Sequence, residues 1–382
     1  MARQAQRHHA GLRPPRILIL SASIGAGHDL PAEVLAAELR ERAPGAAVEI
    51  ADSLQASGPL LEAIATSGSS FETRLGNAAF DVEHRLVMQW PPGRRFTSAV
   101  VTRIAAGRIG ALVDRARPDV VVSTYPGATE VLARMRLDGR LRVPLVSAIT
   151  DLSSLWWWAH PGVDVHLITH PESAEEVRSV AGPETVVEPV RGLNDPAWAV
   201  PMDQADARRA LGLPLGPRVV VVSGGGWGVG DLEGAVEESL ARETTIVVVL
   251  CGTNDGLRDR LGARFAGTSD RVQVWGFTDR MPELFAAADA LIHSTAGLTV
   301  LEALMRGLPA ISYGWGVGHI RLNNEAYARF GLADVATTRA ELGAALDRAL
   351  AAPRAPDPSL AALPTAAEVV LRCYAEHLLD AA

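Results

Sequence analysis

The hydrophobic positions fall in short continuous runs rich in β-branched residues: ILIL from Ile17, VEI from Val48, DVVVS from Asp119, PLVSAI from Pro144, VVVVS from Val219, TIVVVL from Thr245 and ALIH from Ala290. Stretches with helical spacing of apolar residues separate them. Continuous apolar strands alternating with helices predict parallel sheets covered on both faces, the doubly wound α/β arrangement. The rhythm also restarts. After runs at 164–169 and 186–190, the Pro-rich stretch RGLNDPAWAVPMDQADARRALGLPLGPR leads to a new strand entering Gly224. This predicts two Rossmann-like domains, 15–196 and 197–363, divided near Pro196. Residues 1–14 are expected to be a disordered tail. Residues 364–382 are expected to form a helix that returns toward the N-terminal domain. Residues 53–117 interrupt the alternation and predict a helical insertion built around a WPPGRR turn.

Composition excludes several classes. The chain has 382 residues, is 48% hydrophobic and carries a net charge of −8, so no global basic field invites nucleic acid. Two cysteines, Cys251 and Cys373, are too few for a disulfide scaffold and lack the spacing of a zinc site, which points to a reducing cytoplasm. The basic opening followed by ILIL falls short of a signal peptide's apolar core. No run approaches the roughly 18 apolar residues that cross a bilayer, so any membrane is met from the side. From Phe71 to Arg108, however, six arginines (74, 85, 94, 95, 103, 108) outnumber three acids (Glu72, Asp81, Glu83), with Phe71, Phe80, Met88, Trp90 and Phe96 among them. Arginine interleaved with aromatics suits an anionic membrane surface, with Trp90, Arg94 and Arg95 as contacts. The alternative is a helical hairpin that packs on its own domain.

Two glycine loops follow strands. In SASIGAGHDLPAEVLAAEL, Gly25, Ala26 and Gly27 allow a tight strand-to-helix turn, and His28 stands at the helix N-terminus, where backbone N–H groups favour an anion. A histidine there is a candidate general base, or simply caps the helix. In SGGGWGVGDLEGAVEESL, Gly224, Gly225, Gly226, Trp227 and Gly228 open the second loop, whose backbone can approach a diphosphate closely. It lacks the Lys-Ser/Thr of a P-loop and the dinucleotide fingerprint, and no acid closes the next strand, which weakens an NAD-dependent reading. Asp151, at a strand end, is a second candidate base, a residue that orients His28, or a helix cap.

Together with the glycine loop, the segments VQVWGFTDRMPELFAAADALIH, STAGLTVLEALMRGLPAISYG and WGVGHIRLNNEAYARFG resemble the C-terminal domain of GT-B glycosyltransferases. The similar enzymes are the MurG-type peptidoglycan GlcNAc transferases and the monogalactosyldiacylglycerol synthases. SASIGAGH, RPDVVVST and TDLSSLWWWAHPGVD extend the resemblance to the N-terminal domain, so that it covers Arg16 to about Leu350. It implies two Rossmann-like domains facing across a cleft that holds the active site, and transfer of a hexose from a UDP-sugar. Backbone at Gly276, Phe277 and Thr278 would hold uracil beside Met281, and Glu302 would accept hydrogen bonds from the ribose hydroxyls. Ala296, Gly297, Leu298 and Thr299 would set a helix N-terminus at the diphosphate, so no metal and no cofactor beyond the donor is expected. His28 would deprotonate the acceptor, with inversion at the anomeric carbon. The implied acceptor is a lipid hydroxyl, such as diacylglycerol or a lipid-linked saccharide, met at the inner membrane face by a cytoplasmic, peripheral protein.

The chain also departs from the pattern. His319, Ile320 and Arg321 precede Asn323 where the relatives carry Gln-Glu or His-Gln, so His319 and Asn323 are the candidate contacts to the donor sugar and its identity stays open. Trp158 matches the family's tryptophan, whereas Trp156 and Trp157 do not. The alternatives to a lipid glycosyltransferase are a soluble-acceptor transferase, a UDP-sugar epimerase and a catalytically silent UDP-sugar-binding protein.

Overall fold

The computed structural model describes residues 13–23, 26–59, 61, 90–295, 297–314, 316, 318–354 and 356–380. Most of the expected tail and residues 62–89 of the expected insertion lie outside these. The chain divides into two compact units, Met1–Leu193 with Leu363–Ala382, and Asn194–Ala362.

Unit 1 contains β1 (Arg16–Ser21), α1 (Ala26–Arg42), β2 (Ala47–Asp52), α2 (Ser53–Ser57), α3 (Pro91–Ala116), β3 (Val120–Ser123), α4 (Pro126–Leu137), β4 (Leu145–Ile149), β5 (Val165–Ile168), α5 (Ala174–Ala181) and β6 (Val186–Pro189). Its strands form a parallel sheet in the order β2-β1-β3-β4-β5-β6. Unit 2 contains α6 (Gln204–Leu211), β7 (Arg218–Ser223), α7 (Leu232–Leu240), β8 (Thr245–Leu250), α8 (Asp255–Arg264), β9 (Val272–Trp275), α9 (Met281–Ala287), β10 (Ala290–His293), α10 (Leu298–Met305), β11 (Ala310–Tyr313), α11 (Gly318–Phe330), β12 (Asp334–Ala336), α12 (Arg339–Ala351) and α13 (Pro358–Ala362). Its parallel sheet runs β12-β11-β10-β7-β8-β9. The central strands β3, β4 and β10 are buried at every position, as a sheet covered on both faces requires.

The final helix, α14 (Ala366–Asp380), packs in unit 1. Val370 and Tyr374 join Leu35 and Leu39 of α1 in one core cluster. The Tyr374 hydroxyl donates to the Arg13 carbonyl at 2.6 Å, and Arg13 also pairs with Asp119, so the chain is anchored from Arg13 rather than disordered to residue 14. The WPPGRR segment is likewise not a turn. Pro91 and Pro92 occupy the first helical positions of α3, where a missing N–H costs nothing. By length and composition α3 alone, among the described residues, is long and apolar enough to cross a membrane. Its C-terminal half is a core helix instead: Ala105, Ala106, Ile109, Leu112 and Val113 pack against Leu18, Leu20 and Val121 of the sheet.

One device recurs where strands begin. Asp119, immediately before β3, donates its N–H to the Arg16 carbonyl at 2.7 Å and accepts the Arg16 N–H at 2.8 Å through its carboxylate. Asp289, before β10, does the same with Val219 of β7, both bonds being 2.7 Å. Asp164, before β5, repeats it with Leu145 of β4 at 2.9 and 2.8 Å. In each case an N–H at the start of the strand (the first residue in β1 and β4, the second in β7) takes the carboxylate as its acceptor. Each carboxylate is neutralised by arginine: Arg13 for Asp119, Arg136 for Asp164, and Arg208 with Arg218 for Asp289.

The Arg208–Asp289 pair, 2.6 Å apart and buried, is the most demanding of these. Asp289→Ala leaves the Arg208 guanidinium buried without its anion. The expected loss is on the order of 3–5 kcal/mol, read as a lower urea midpoint. Asp164→Ala, whose partners are better solvated, is expected to cost clearly less; equal losses would refute the role assigned to burial.

Candidate active site

In unit 1 the candidate residues collect at the C-terminal ends of adjacent strands. Gly25 lies outside the described residues; Ala26 and Gly27 open α1, and their side chains are outside the description. His28 stands in the first turn of α1, which is tied to β1 by the Ser21 hydroxyl donating to Asp29 at 2.6 Å. His28 Nδ1 lies 3.0 Å from the Thr124 carbonyl just beyond β3. A carbonyl only accepts, so Nδ1 carries the hydrogen, and in the neutral ring the lone pair is on Nε2. The Thr124 hydroxyl returns a bond to the His28 carbonyl at 3.1 Å. The imidazole is flanked by Tyr125, edge-on with centroids 5.2 Å apart, and by Trp158 at 5.9 Å.

Two neighbouring groups hold their neutral forms. Burial, with Asp52 adding, pushes the Tyr125 phenol up to about 12. Burial holds His170, beyond β5, down at about 4, against the pull of Asp151. Asp151 follows β4 and is half-buried; no helix begins at Leu152, so it is not a helix cap. Its Oδ2 accepts the Trp158 indole N–H at 2.9 Å. Trp158, expected with Trp90, Arg94 and Arg95 to meet an acceptor or a membrane, is instead 1% exposed and packs with Ile149, Leu155 and Ile168. Arg94 is half-buried with its guanidinium over the Trp156 ring at 5.0 Å, while Trp90 and Arg95 are exposed.

In unit 2 the loop after β7 folds back on itself. Gly228 has φ +63°, and a Cβ there would stand 2.6 Å from the Cys251 carbonyl oxygen, so only glycine fits. Gly225, Gly226 and Trp227 form a short 3₁₀ turn after Gly224, with the Trp227 ring 48% exposed at its tip. Thr253 braces the turn, its N–H and hydroxyl both donating to the Gly226 carbonyl at 2.8 and 2.9 Å. From the adjacent strand, the Ser294 hydroxyl donates to the Val229 carbonyl at 2.6 Å. The glycine loop and the segment entering α10 therefore lie side by side above β7 and β10. Ala296 is outside the described residues. Gly297, at φ +81°, precedes α10, whose first residues are Leu298 and Thr299, and the Tyr327 hydroxyl donates to the Gly297 carbonyl at 3.4 Å.

One turn into α10, Glu302 is buried, and desolvation pushes its carboxyl up to about 8 against a hydrogen bond from the Asn194 side chain. Asn194 is itself buried and also donates to Met305 Sδ at 3.4 Å. Beyond β9, Gly276, Phe277 and Thr278 form a loop in which Phe277 is 70% exposed, and Met281 opens α9. His319 lies in the first turn of α11 with its side chain outside the description, and Asn323 is fully buried one turn later. Among the described residues, no group of three His, Cys, Asp or Glu side chains is placed to hold a metal ion.

The structure thus brings His28 and Asp151 together through Trp158 in unit 1, and sets the two phosphate-type loops beside each other in unit 2. Thr124, Tyr125, Asn194, Thr253 and Ser294 were not anticipated. Strand-end position was the available signal for Thr124, Tyr125 and Ser294, since ligands of open α/β sheets gather there. Asn194 sits in a Pro-flanked stretch that resembles an ordinary linker.

Comparison with known proteins agrees with this arrangement. The monogalactosyldiacylglycerol (MGDG) synthase family matches residues 28–190, and glycosyl transferases group 1 match residues 219–350. The processive diacylglycerol beta-glucosyltransferase of Bacillus subtilis (strain 168) is 26% identical over 303 residues, covering 78% of this chain and 77% of its own. Monogalactosyldiacylglycerol synthase 1, chloroplastic, of Arabidopsis thaliana is 29% identical over 325 residues, covering 80% of this chain and 59% of its own. Among solved structures, Acinetobacter baumannii MurG superposes with a TM-score of 0.52 at 16% identity, covering 96% of this chain and 99% of its own. Os79 from O. sativa, in complex with U2F and trichothecene, gives 0.56 at 12% identity over 94% of each chain. The fold is GT-B, two Rossmann-like units each built on a parallel sheet, and the chain is a glycosyltransferase of that class. Within the class its sequence is similar to that of monogalactosyldiacylglycerol synthase, and its fold to that of MurG.

Glu302 makes a prediction that needs no substrate. Its folded value of about 8 stands above the ordinary 4.5, so the fold favours the protonated acid. That contribution to stability is complete below about pH 4.5 and is lost as the pH rises through 8. The thermal midpoint of the wild type should therefore fall over this window relative to that of Glu302→Gln, which has no proton to lose. Parallel pH profiles for the two proteins would contradict it.

Proposed function

We propose that this chain is an inverting glycosyltransferase that moves a hexose from a UDP-sugar to a lipid hydroxyl, either diacylglycerol or a lipid-linked saccharide. The observation that carries the chemistry is the fixed tautomer of His28: Nδ1 is engaged by Thr124, and Nε2 is the proton-accepting atom. Nε2 takes the acceptor's hydroxyl proton as that oxygen attacks the anomeric carbon. The bond from that carbon to the UDP oxygen breaks, and UDP leaves with the electron pair.

Unit 2 supplies the donor half of this reading. The backbone of Gly224, Gly225, Gly226 and Gly228 and the N-terminus of α10 at Gly297–Thr299 face the diphosphate and stabilise the charge that develops on the leaving group. Ala296 belongs to the same segment. Gly276, Phe277, Thr278 and Met281 hold the uracil, Glu302 takes the ribose hydroxyls, and His319 contacts the sugar, whereas Asn323, fully buried, presents no surface for the contact expected of it. The processive glucosyltransferase and the galactosyldiacylglycerol synthase among the relatives support a hexose donor and a diacylglycerol-type acceptor.

The protein meets that acceptor as a peripheral protein on the cytoplasmic membrane face, through the N-terminal half of α3. Phe96 and Val100 are exposed on one side of the helix with Arg95 and Arg103, and Trp90 is exposed just before it. A groove of about 560 Å³ alongside is lined by Arg95, Arg103, Arg134 and Arg140. Apolar side chains ringed by arginine suit an anionic bilayer surface. Arg94, stacked on Trp156, contributes to the shape of this surface more than to its charge.

The test is UDP release from UDP-galactose, UDP-glucose and UDP-N-acetylglucosamine, with and without diacylglycerol vesicles, with Glu302→Ala as the control. One donor is expected to respond to vesicles, and no release from any donor would overturn the reading. His28→Ala is expected to lower kcat by ~10²–10⁴-fold with UDP affinity retained. Loss of UDP binding in that variant would mark His28 as structural. Arg95→Glu/Arg103→Glu and Phe96→Asp should each weaken cosedimentation with anionic vesicles; unchanged binding in both would remove α3 as the docking surface.

A further inference from the structure

Unit 1 places two potential proton acceptors near one another, His28 and Asp151, and the geometry separates their roles. We propose that Asp151 is a positioning residue that orients the His28 imidazole through the indole of Trp158, and is not the proton acceptor. This rests on the function proposed above for His28.

Each link of the chain is visible. The Trp158 indole N–H, a donor with no acceptor capacity, is bound by Asp151 Oδ2 at 2.9 Å. The other end of the residue is fixed as well, because its carbonyl accepts from the Ser147 hydroxyl at 2.8 Å and its N–H donates to the Leu155 carbonyl at 3.0 Å. With both ends held and the side chain fully buried, the indole plane has one orientation. The indole and imidazole centroids are 5.9 Å apart with the planes at 43°, and Tyr125 stands edge-on to the imidazole, centroids 5.2 Å apart at 77°. Turning the imidazole breaks the Nδ1 bond to Thr124 and drives the ring into one of its aromatic neighbours.

Asp151 serves the indole with one carboxylate oxygen, and a neutral amide oxygen can do the same. A proton acceptor needs the charge, whereas an anchor needs only the acceptor atom. This difference decides the test. Asp151→Asn keeps an oxygen for the indole, Asp151→Leu removes it, and Trp158→Phe keeps a ring but loses the N–H.

The first measurement is independent of turnover: the ring resonances of His28 in protein carrying ¹⁵N-labelled histidine, followed from pH 5 to 9 and assigned by their absence in His28→Gln. Asp151→Leu and Trp158→Phe should displace these resonances, and Asp151→Asn should leave them near the wild-type positions. The second is the pH dependence of kcat. Asp151→Asn should retain more than a tenth of the rate with the wild-type acid limb, whereas Asp151→Leu and Trp158→Phe should each lose ~10–100-fold. Their double variant should be little worse than either single one, because both break the same link. UDP affinity, measured in unit 2's site, should be unaffected in all three.

A loss in Asp151→Asn as deep as that in His28→Ala, with the acid limb displaced, would make Asp151 the base and overturn the proposal. So would His28 resonances indifferent to both Asp151→Leu and Trp158→Phe. Absence of turnover in the wild type would count against the proposed function alone, and the resonances would still decide the coupling.

Discussion

The arrangement of both sites depends on how two strands are locked at their beginnings. In unit 1 the strand order reverses between β1 and β3, and in unit 2 between β7 and β10, and at each reversal the connecting chains leave in opposite directions. Crevices form beyond the carboxyl ends of such strand pairs. Asp119 and Asp289 sit at the opposite ends of these same pairs, each making two hydrogen bonds to one residue near the start of the neighbouring strand, Arg16 and Val219. A slip of one residue would turn every side chain to the other face of the sheet. The locks thus fix, at the far ends, the apposition of Leu20 with Ser123 and of Ser223 with His293, from which the functional loops depart.

Beyond those ends each unit passes from a strand to a helix, with different chemistry at the two places. In unit 1 the turn is spent on a side chain. His28 stands at a helix start, its Nδ1 bound to a carbonyl of the adjacent strand's exit and its faces bordered by aromatic rings. Were the ring protonated, it would lie within the distance at which an indole attracts a cation. In unit 2 the turn is spent on backbone. Glycines at positive φ fold the loop back on itself, and the segment entering α10 braces it from beside the neighbouring strand. Glu302 adds a polar group whose burial disfavours its charge.

Much of this was legible because burial on both faces leaves an uninterrupted apolar run, and the runs at Asp119, Pro144, Val219 and Ala290 became central strands. The aspartates opening DVVVS and DALIH were legible as letters but not as locks, since their partners lie 103 and 70 residues away. His28 and the two glycine loops stood out because the strand before each loop fixes where it emerges. The three tryptophans separate in the sequence by resemblance alone, which singles out Trp158, because composition assigns the same chemistry to each; the fold makes Trp158 core and leaves Trp156 to stack with Arg94. WPPGRR misled for a related reason: proline stops a helix from within and starts one from its first turn, and local sequence does not say which.

Asn194 shows where that legibility ends. Its side chain opposes the burial of Glu302, 108 positions along the chain, and touches Met305 on the same helix. In the sequence it is one polar residue in a Pro-flanked stretch, with turn formation a sufficient explanation. A buried acid, however, creates a demand for a donor that some other segment must meet, and it does so wherever the acid is placed. Once Glu302 is read as buried, a partner is required before it is found. The search then narrows to polar residues that the fold returns to the face of α10, and Asn194 meets that requirement. A buried carboxyl is in this sense a better guide to distant contacts than hydrophobic pattern, because an apolar side chain accepts many neighbours and a carboxyl accepts few.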